Sequence, residues 1–412
     1  MENEKIHIES LPLSHLCHVG DKVEFHITGD PQIPLEVVIS IDRETVLKKC
    51  TVMPPAHVSA SLPHPGFLLC TASAGEVSAS CGVGVDPDQI RPLEQEPEDF
   101  DRFWAESFKE QEAIPEDFRM TQCDTVRDMD MYRLDCATVN GLRAYGMLAI
   151  PHPRENCKKV PLKVMFGGGE AHISEEGFCN LFREPSPEGD TPCACLHFHL
   201  PPYAPVKTND ESKSRHNEFL KSIGLRRYVF YGLDSPKKFY AYPAILGYIR
   251  LLNRVAAMPE IRQEAIIYSG ASHGGGFGLY LCCFSKHIKA AFCGVPNFGD
   301  IAGVLAGRHQ PDSNSPEFRD PEVVAIRKYF DASYCAKRIT CPVYLSVGFT
   351  DTACAPTAVY AIYNNLAGPK MIFNKIHHGH GDAPPEYAPM CNLWLKEKLK
   401  ELLAAGSNET LI

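Results

Sequence analysis

The pentapeptide Gly270-Ala271-Ser272-His273-Gly274 carries the clearest chemical signal in this chain. It follows the apolar run Ala265-Ile266-Ile267-Tyr268 and leads into Phe277-Gly278-Leu279-Tyr280-Leu281, which suits a helix. A serine on a sharp strand-to-helix turn is held in a strained backbone conformation, so its neighbours two positions away must be small. Ser272 Oγ would then project from the sheet edge as a nucleophile for acyl transfer. The amide of His273 would sit at a helix N-terminus, where an N–H stabilises a developing oxyanion. The competing reading is a plain glycine-rich turn, since G-x-S-x-G alone also occurs by chance.

A serine hydroxyl is almost fully protonated near neutral pH and needs a histidine base oriented by an acid. On this strand–turn–helix frame the chain order is serine, acid, histidine. Asp351 follows the strand-like run Pro342-Val343-Tyr344-Leu345-Ser346-Val347-Gly348. His380 follows a second run over 371–376, within His377-His378-Gly379-His380-Gly381. Both therefore fall at the C-terminal edge of successive strands, where open α/β sheets place their sites. A loop-capping acid is the alternative for Asp351. His377 and His378 compete for the base, and the strand end and flanking glycines favour His380. Gly167-Gly168-Gly169, after Lys163-Val164-Met165-Phe166, is the expected second oxyanion element, with a backbone N–H near Gly168 as donor. Glycine lets backbone approach a substrate closely.

His197-Phe198-His199 puts two imidazoles on one face of a strand, but no further acid or thiol set at recognisable spacing completes a ligand list, so no metal site is expected. No phosphate-binding glycine loop opens the chain's first strand–helix unit, so no nucleotide cofactor is expected.

The elements needed to position these residues are visible as rhythm. Up to about residue 85, apolar residues alternate with polar ones, as in Val23, Phe25 and Ile27, in Leu35, Val37, Ile39 and Ile41, and in Cys81, Val83 and Val85. A period of two with turns between reads as half-solvated strands of a small immunoglobulin-like sandwich, with no catalytic constellation and no part in the chemistry. A proline-containing charged connector follows, then a helix in which Phe100, Phe103, Trp104 and Phe108 form a packing stripe. From about residue 130, strand-like runs at 142–150, 162–166, 195–200, 265–268, 290–295, 343–347 and 371–376 alternate with helical ones at 238–257, 275–285, 355–366 and 385–403. That alternation predicts an α/β fold with a doubly wound, mostly parallel sheet. The expected organisation is a sandwich over 1–85, connector and helix over 86–110, a catalytic α/β-hydrolase domain over 111–405 and a frayed tail over 406–412.

Composition removes other classes. With 41 basic and 51 acidic side chains in 412 residues, the net charge of −10 argues against nucleic-acid and anionic-membrane partners. No apolar run reaches the ~18–20 residues that span a bilayer. The start, Met1-Glu2-Asn3-Glu4-Lys5, has no basic segment leading into an apolar one, so a cytoplasmic location is expected, although a trimmed secreted chain would look the same. The 17 cysteines are an odd number without a C-x-x-C, which reads as reduced thiols rather than a disulfide framework.

Several ordered motifs go further. The stretch from Gly270 to Asp300, GASHGGGFGLYLCCFSKHIKAAFCGVPNFGD, resembles the nucleophile region of the acetyl xylan esterase/cephalosporin C deacetylase family, whose members read GGSQGGG and later VPFLCD. Tyr329-Phe330-Asp331, Ser346-Val347-Gly348-Phe349-Thr350-Asp351 and Gly379-His380 are similar again, as is the run from Tyr228 to Pro259. The resemblance covers most of residues 95–400 and implies an α/β-hydrolase that deacetylates small sugar esters without metal or organic cofactor. It implies Ser272 as nucleophile, Asp351 as acid, His380 as base, the residue after the nucleophile as one oxyanion donor, and a symmetric homo-oligomer. Two departures stand out: His273 replaces the usual glutamine, and Phe166-Gly167-Gly168-Gly169-Glu170 stands where many members have a Gly-Tyr pair. The alternatives are a peptidase or acyl-thioesterase of the same fold, or a non-catalytic carbohydrate-binding protein.

Overall fold

Eight strands open the chain: β1 (His7–Leu11), β2 (Leu16–Cys17), β3 (Val23–Thr28), β4 (Leu35–Ile41), β5 (Thr45–Val52), β6 (Ala56–Ala60), β7 (Gly66–Ala74) and β8 (Val77–Val85). In this computed structural model, which describes residues 6–153, 159–169, 173–184, 191–200, 203–311 and 314–408, they form two sheets. One has the order β1-β3-β6, the other β2-β8-β7-β4-β5. The alternation seen in the sequence is the cause. Val23, Phe25 and Ile27 face Leu35, Val37 and Ile39 across the sandwich, and all six are buried.

Beyond the connector, helix α1 (Phe100–Glu112) buries Phe100 and Trp104 against the main core. The Trp104 indole N–H donates to the Tyr329 carbonyl at 3.1 Å, so its one polar atom is satisfied as the ring is buried. The remaining strands are β9 (Arg119–Val126), β10 (Met129–Ala137), β11 (Arg143–Pro151), β12 (Val160–Phe166), β13 (Ala194–His199), β14 (Ile261–Ala271), β15 (Ala290–Gly294), β16 (Val343–Gly348) and β17 (Lys370–Lys375). They make one sheet in the order β17-β16-β15-β14-β12-β13-β11-β10-β9. The six strands from β17 to β13 run parallel, and β11, β10 and β9 complete the sheet antiparallel. Helices α4 (Ala241–Ala256) and α5 (His273–Phe284) pack on it, and α2 (Glu175–Asn180) and α3 (Asn209–Ser222) lie between β12 and α4 in the chain. Strand order reverses at β12 and β14, and an open sheet has its crevice at such a point.

Three departures from the sequence reading have physical causes. The hairpin β9–β10 was not expected, because β9 is almost wholly exposed and a register shift between Met131 and Tyr132 breaks the period of two on β10. Helix α3 buries only Ser212 and Leu220, so it lacks an apolar stripe. The last helix (Tyr387–Asn408) runs through the expected tail, whose final residues 409–412 lie outside the described ones.

The fourth departure matters most. Strand β8 is not half-solvated at its end, since Cys81 to Val85 are buried on both faces. Its outer face packs on the α/β unit. A Cβ on Gly82 would lie 2.2 Å from the Phe349 carbonyl oxygen. Around this contact Phe67 packs edge-on against Phe349 with centroids 5.0 Å apart. The Thr357 hydroxyl donates to buried Asp42 at 2.6 Å. His309 spans Glu44 of the sandwich at 2.8 Å and the Thr352 carbonyl at 2.7 Å. The sandwich is thus built onto the segment 349–357 rather than standing apart from it.

Gly82→Ala should therefore lower unfolding stability by about 1–3 kcal/mol, the usual result of overpacking a rigid contact. Val77→Ala, at an exposed position of the same strand, should stay within about 0.5 kcal/mol. Urea unfolding of the full chain checks both. Equal stabilities would mean that the sandwich and the α/β unit are not tightly docked there.

Candidate active site

Strand β14 ends at Ala271 and helix α5 begins at His273, leaving Ser272 as the single residue of the turn. Its φ of 57° and ψ of −120° are unfavourable for a residue with a side chain. The turn is pinned on two sides. Ser272 N–H donates to the Gly294 carbonyl at 2.8 Å, and Asn297 N–H donates to the Ser272 carbonyl at 3.0 Å. Helix α5 also lies unusually close to β12, so that a Cβ on Gly274 would meet the Phe166 carbonyl oxygen at 2.2 Å. Only glycine fits there, which explains this part of the pentapeptide.

Ser272 Oγ lies 2.9 Å from His380 Nε2. His380 Nδ1 lies 2.8 Å from Asp351 Oδ2. The other carboxylate oxygen accepts the N–H groups of Ala353 at 2.8 Å and Cys354 at 2.9 Å. Both oxygens are thus fixed, and the Asp351 side chain is fully buried. The three residues come from the C-terminal ends of β14, β16 and β17. Of the competing histidines, His377 packs its ring edge-on against His15 of the sandwich at 4.7 Å, and His378 lends its carbonyl to Thr350 N–H at 3.3 Å. His380 alone of the three reaches both Ser272 and Asp351.

The glycine loop reaches the same place. A Cβ on Gly168 would lie 3.5 Å from Ser272 Cβ and 3.6 Å from the Ala271 carbonyl oxygen. His273 opens α5, where the first N–H groups have no partner within the helix. Its ring is buried, with Nδ1 2.5 Å from the Gly169 carbonyl and Nε2 2.8 Å from the Tyr240 hydroxyl. Burial pushes this imidazole down to about 4, against the opposing pull of the Gly169 carbonyl, so the ring is neutral near pH 7.

His197 and His199 are buried on β13. The His197 Nδ1 is 2.9 Å from the Phe198 carbonyl, and burial pushes its pKa down to about 4. Ile173 N–H donates to His199 Nε2 at 3.2 Å. Their rings therefore serve the packing of β13 against the segment around α2.

Sequence reading passed over Lys375. Only 2% exposed, it ends β17 and turns its ammonium onto the loop that carries His380. It donates to the carbonyls of Gly379 at 2.7 Å, Asp382 at 2.9 Å and His380 at 3.4 Å. Burial lowers its pKa, against the favourable fields of Asp351 and Asp382. A lysine at a strand end has no sequence signature of this kind, because its acceptors are backbone carbonyls. Asp300 and Asp331, which stood out in the family-like motifs, prove to be structural. Asp331 accepts N–H groups from Asp300, Ile301 and Ser333 and holds the segment after β15 that also pins Ser272.

Residues 88–396 match the family model described as acetyl xylan esterase (AXE1). The acetyl esterase Axe7A of Xylanibacter ruminicola is 26% identical over 347 residues, which cover 82% of this chain and 76% of that protein. The fold is shared with acetyl xylan esterase 1 of Thermoanaerobacterium sp. JW/SL YS485, at TM-score 0.62, 20% identity and coverage of 76% of this chain and 97% of that one. It is shared equally with the acetyl xylan esterase of Paenibacillus sp. R4, at TM-score 0.60, 19% identity and coverage of 76% and 98%. With the family model spanning three-quarters of the sequence, this chain belongs to the acetyl xylan esterase (AXE1) family, serine-type carboxylic ester hydrolases on an α/β-hydrolase fold.

Proposed function

We propose that the protein removes acetyl groups from acetylated xylo-oligosaccharides or related sugars through a Ser272–His380–Asp351 triad and an acetyl-enzyme intermediate. The observation that carries this reading is the unbroken chain of contacts from Ser272 Oγ to His380 and on to Asp351. Ser272 Oγ attacks the ester carbonyl carbon while His380 Nε2 takes its proton. Asp351 accepts the Nδ1 proton and so presents the basic nitrogen to the serine. The N–H groups of His273 and Gly168 receive the negative charge that develops on the carbonyl oxygen. Collapse expels the sugar hydroxyl, which takes the proton from His380. Water then attacks the acetyl-serine with His380 again as base, and acetate leaves. Every proton and charge in the cycle has a protein group to hold it, so the reaction needs no cofactor.

Ser272→Ala should lower hydrolysis of 4-nitrophenyl acetate by about 10⁴- to 10⁶-fold in kcat, and His380→Ala by a similar factor, with the fold intact by circular dichroism. His377→Ala should change kcat by less than about threefold. An essential His377 beside a dispensable His380 would reassign the base.

Lys375→Met keeps the length of the side chain but removes three hydrogen bonds from the loop holding His380. It should reduce kcat by about 10- to 100-fold with little change in KM, because misplacing a catalytic group by an ångström is costly. Steady-state kinetics at saturating ester reads this directly, and an unchanged kcat would show that the loop holds its shape without the ammonium.

Acetyl esters should be turned over faster than butyryl and octanoyl esters, because a pocket shaped for a methyl group excludes longer chains more strongly than the ~1–3 kcal/mol per methylene of simple contact loss. The same assay with and without EDTA should give equal rates. A preference for octanoyl esters would favour a lipase or thioesterase, and abolition by EDTA with recovery on adding zinc would end the serine account.

A further inference from the structure

The ring of His273 does something its position next to the nucleophile does not require. The backbone N–H of that residue is available for an oxyanion whatever the side chain. Yet the imidazole is buried and engaged at both nitrogens, with the Gly169 carbonyl on one side and the Tyr240 hydroxyl on the other. A carbonyl can only accept, so Nδ1 carries the proton and donates to Gly169. In the neutral ring Nε2 is then an acceptor, and Tyr240 must donate to it. Tyr240 stands just before α4 and is itself buried, its ring packed on Phe239 at 4.6 Å and Tyr228 at 5.5 Å. It is a rigid end point for the linkage.

The other end point is soft. Residues 167–169 are three successive glycines, and Gly169 has a φ of 65°. Such a segment has the largest backbone entropy a chain can offer, yet Gly168 must stay against Ser272 for its N–H to meet an oxyanion. Preorganised donors are effective because they need no rearrangement during reaction, and a wandering donor loses that advantage. We propose that the His273 ring is a positioning residue that ties the triglycine loop to Tyr240 and so holds the second oxyanion donor in place. The assignment rests on the triad reading above, and it adds a residue pair, His273 and Tyr240, whose side chains act on the oxyanion hole without touching the substrate.

The test uses the full chain with three substitutions. His273→Leu keeps a bulky side chain and the backbone N–H but has no donor. His273→Asn keeps an N–H donor at the position of Nδ1. Tyr240→Phe removes only the hydroxyl. The readouts are kcat and KM on 4-nitrophenyl acetate, inhibition by a phenylboronic acid that forms a tetrahedral serine adduct, and thermal unfolding. His273→Leu should lose about 10²- to 10³-fold in kcat, the usual consequence of losing one oxyanion donor. Its KM should stay within about threefold, and boronate inhibition should weaken in parallel with kcat/KM. His273→Asn keeps the bond to Gly169 but cannot reach the Tyr240 hydroxyl, so it should recover only part of the loss, to about the level of Tyr240→Phe. A folded His273→Leu variant with wild-type kcat would overturn the proposal. So would a His273→Asn variant as damaged as His273→Leu, since ring packing rather than the donated proton would then be what matters. If His273→Leu does not fold, His273→Asn and Tyr240→Phe decide against the wild type: matched partial losses of kcat in both, with weakened boronate binding, support the tether, and a wild-type kcat in either rejects it. Ser272→Ala, run alongside, separates the two levels. Retained activity there removes the triad reading itself, whereas a dead Ser272→Ala beside an unaffected His273→Leu removes only the tether.

Discussion

A side chain that must stand clear of a sheet edge, on a turn one residue long, constrains most of this molecule. Ser272 achieves this at φ 57° and ψ −120°, a conformation that is unfavourable by about 1–3 kcal/mol for a non-glycine residue. It persists because the surroundings leave it no alternative. The end of β15 takes its N–H, the segment after β15 donates to its carbonyl, and the Tyr268 hydroxyl holds the first turn of α5 through the Gly274 carbonyl at 2.5 Å. Helix α5 is thereby drawn against the end of β12, and that closeness brings the glycine loop beside the serine.

The other half of the site is held from outside the α/β unit. Asp351 belongs to a segment that touches the sandwich at Gly82, Asp42 and, through His309, Glu44. The loop carrying His380 meets the sandwich at His15 and is wrapped from within by Lys375. His380 and Asp351 are thus held between the packed sandwich and a buried ammonium, while Ser272 is held by the sheet, the segment after β15 and the first turn of α5. This arrangement suits the proposed chemistry. A general base must be held to a fraction of an ångström, and loops at a sheet edge have few neighbours of their own to fix them.

Much of the fold was legible in the residues. Strand and helix runs in the second half of the chain match the observed elements to within a few positions, because fully buried parallel strands and amphipathic helices leave strong patterns. Among the elements that escaped, β9 and α3 bury little, the alternation of β10 is broken by a bulge, and the helices Pro321–Arg327 and Ala332–Ala336 are too short for a helical period to show.

Of the site, the strand–turn–helix frame of Ser272 and the order and strand-end positions of Asp351 and His380 can be read from the residues alone. Local sterics and chain order are properties of short segments, so short segments reveal them. That His380 and not His377 reaches the serine, that Lys375 and the ring of His273 bond to the loops beside it, and that Gly82 marks a contact of the sandwich with the α/β unit emerge once the chain is folded. Ser272 lies 108 residues from His380 and the Gly169 carbonyl 104 from His273, while the Lys375 bonds depend on the path of a loop, and a carbonyl looks the same at every position of a sequence.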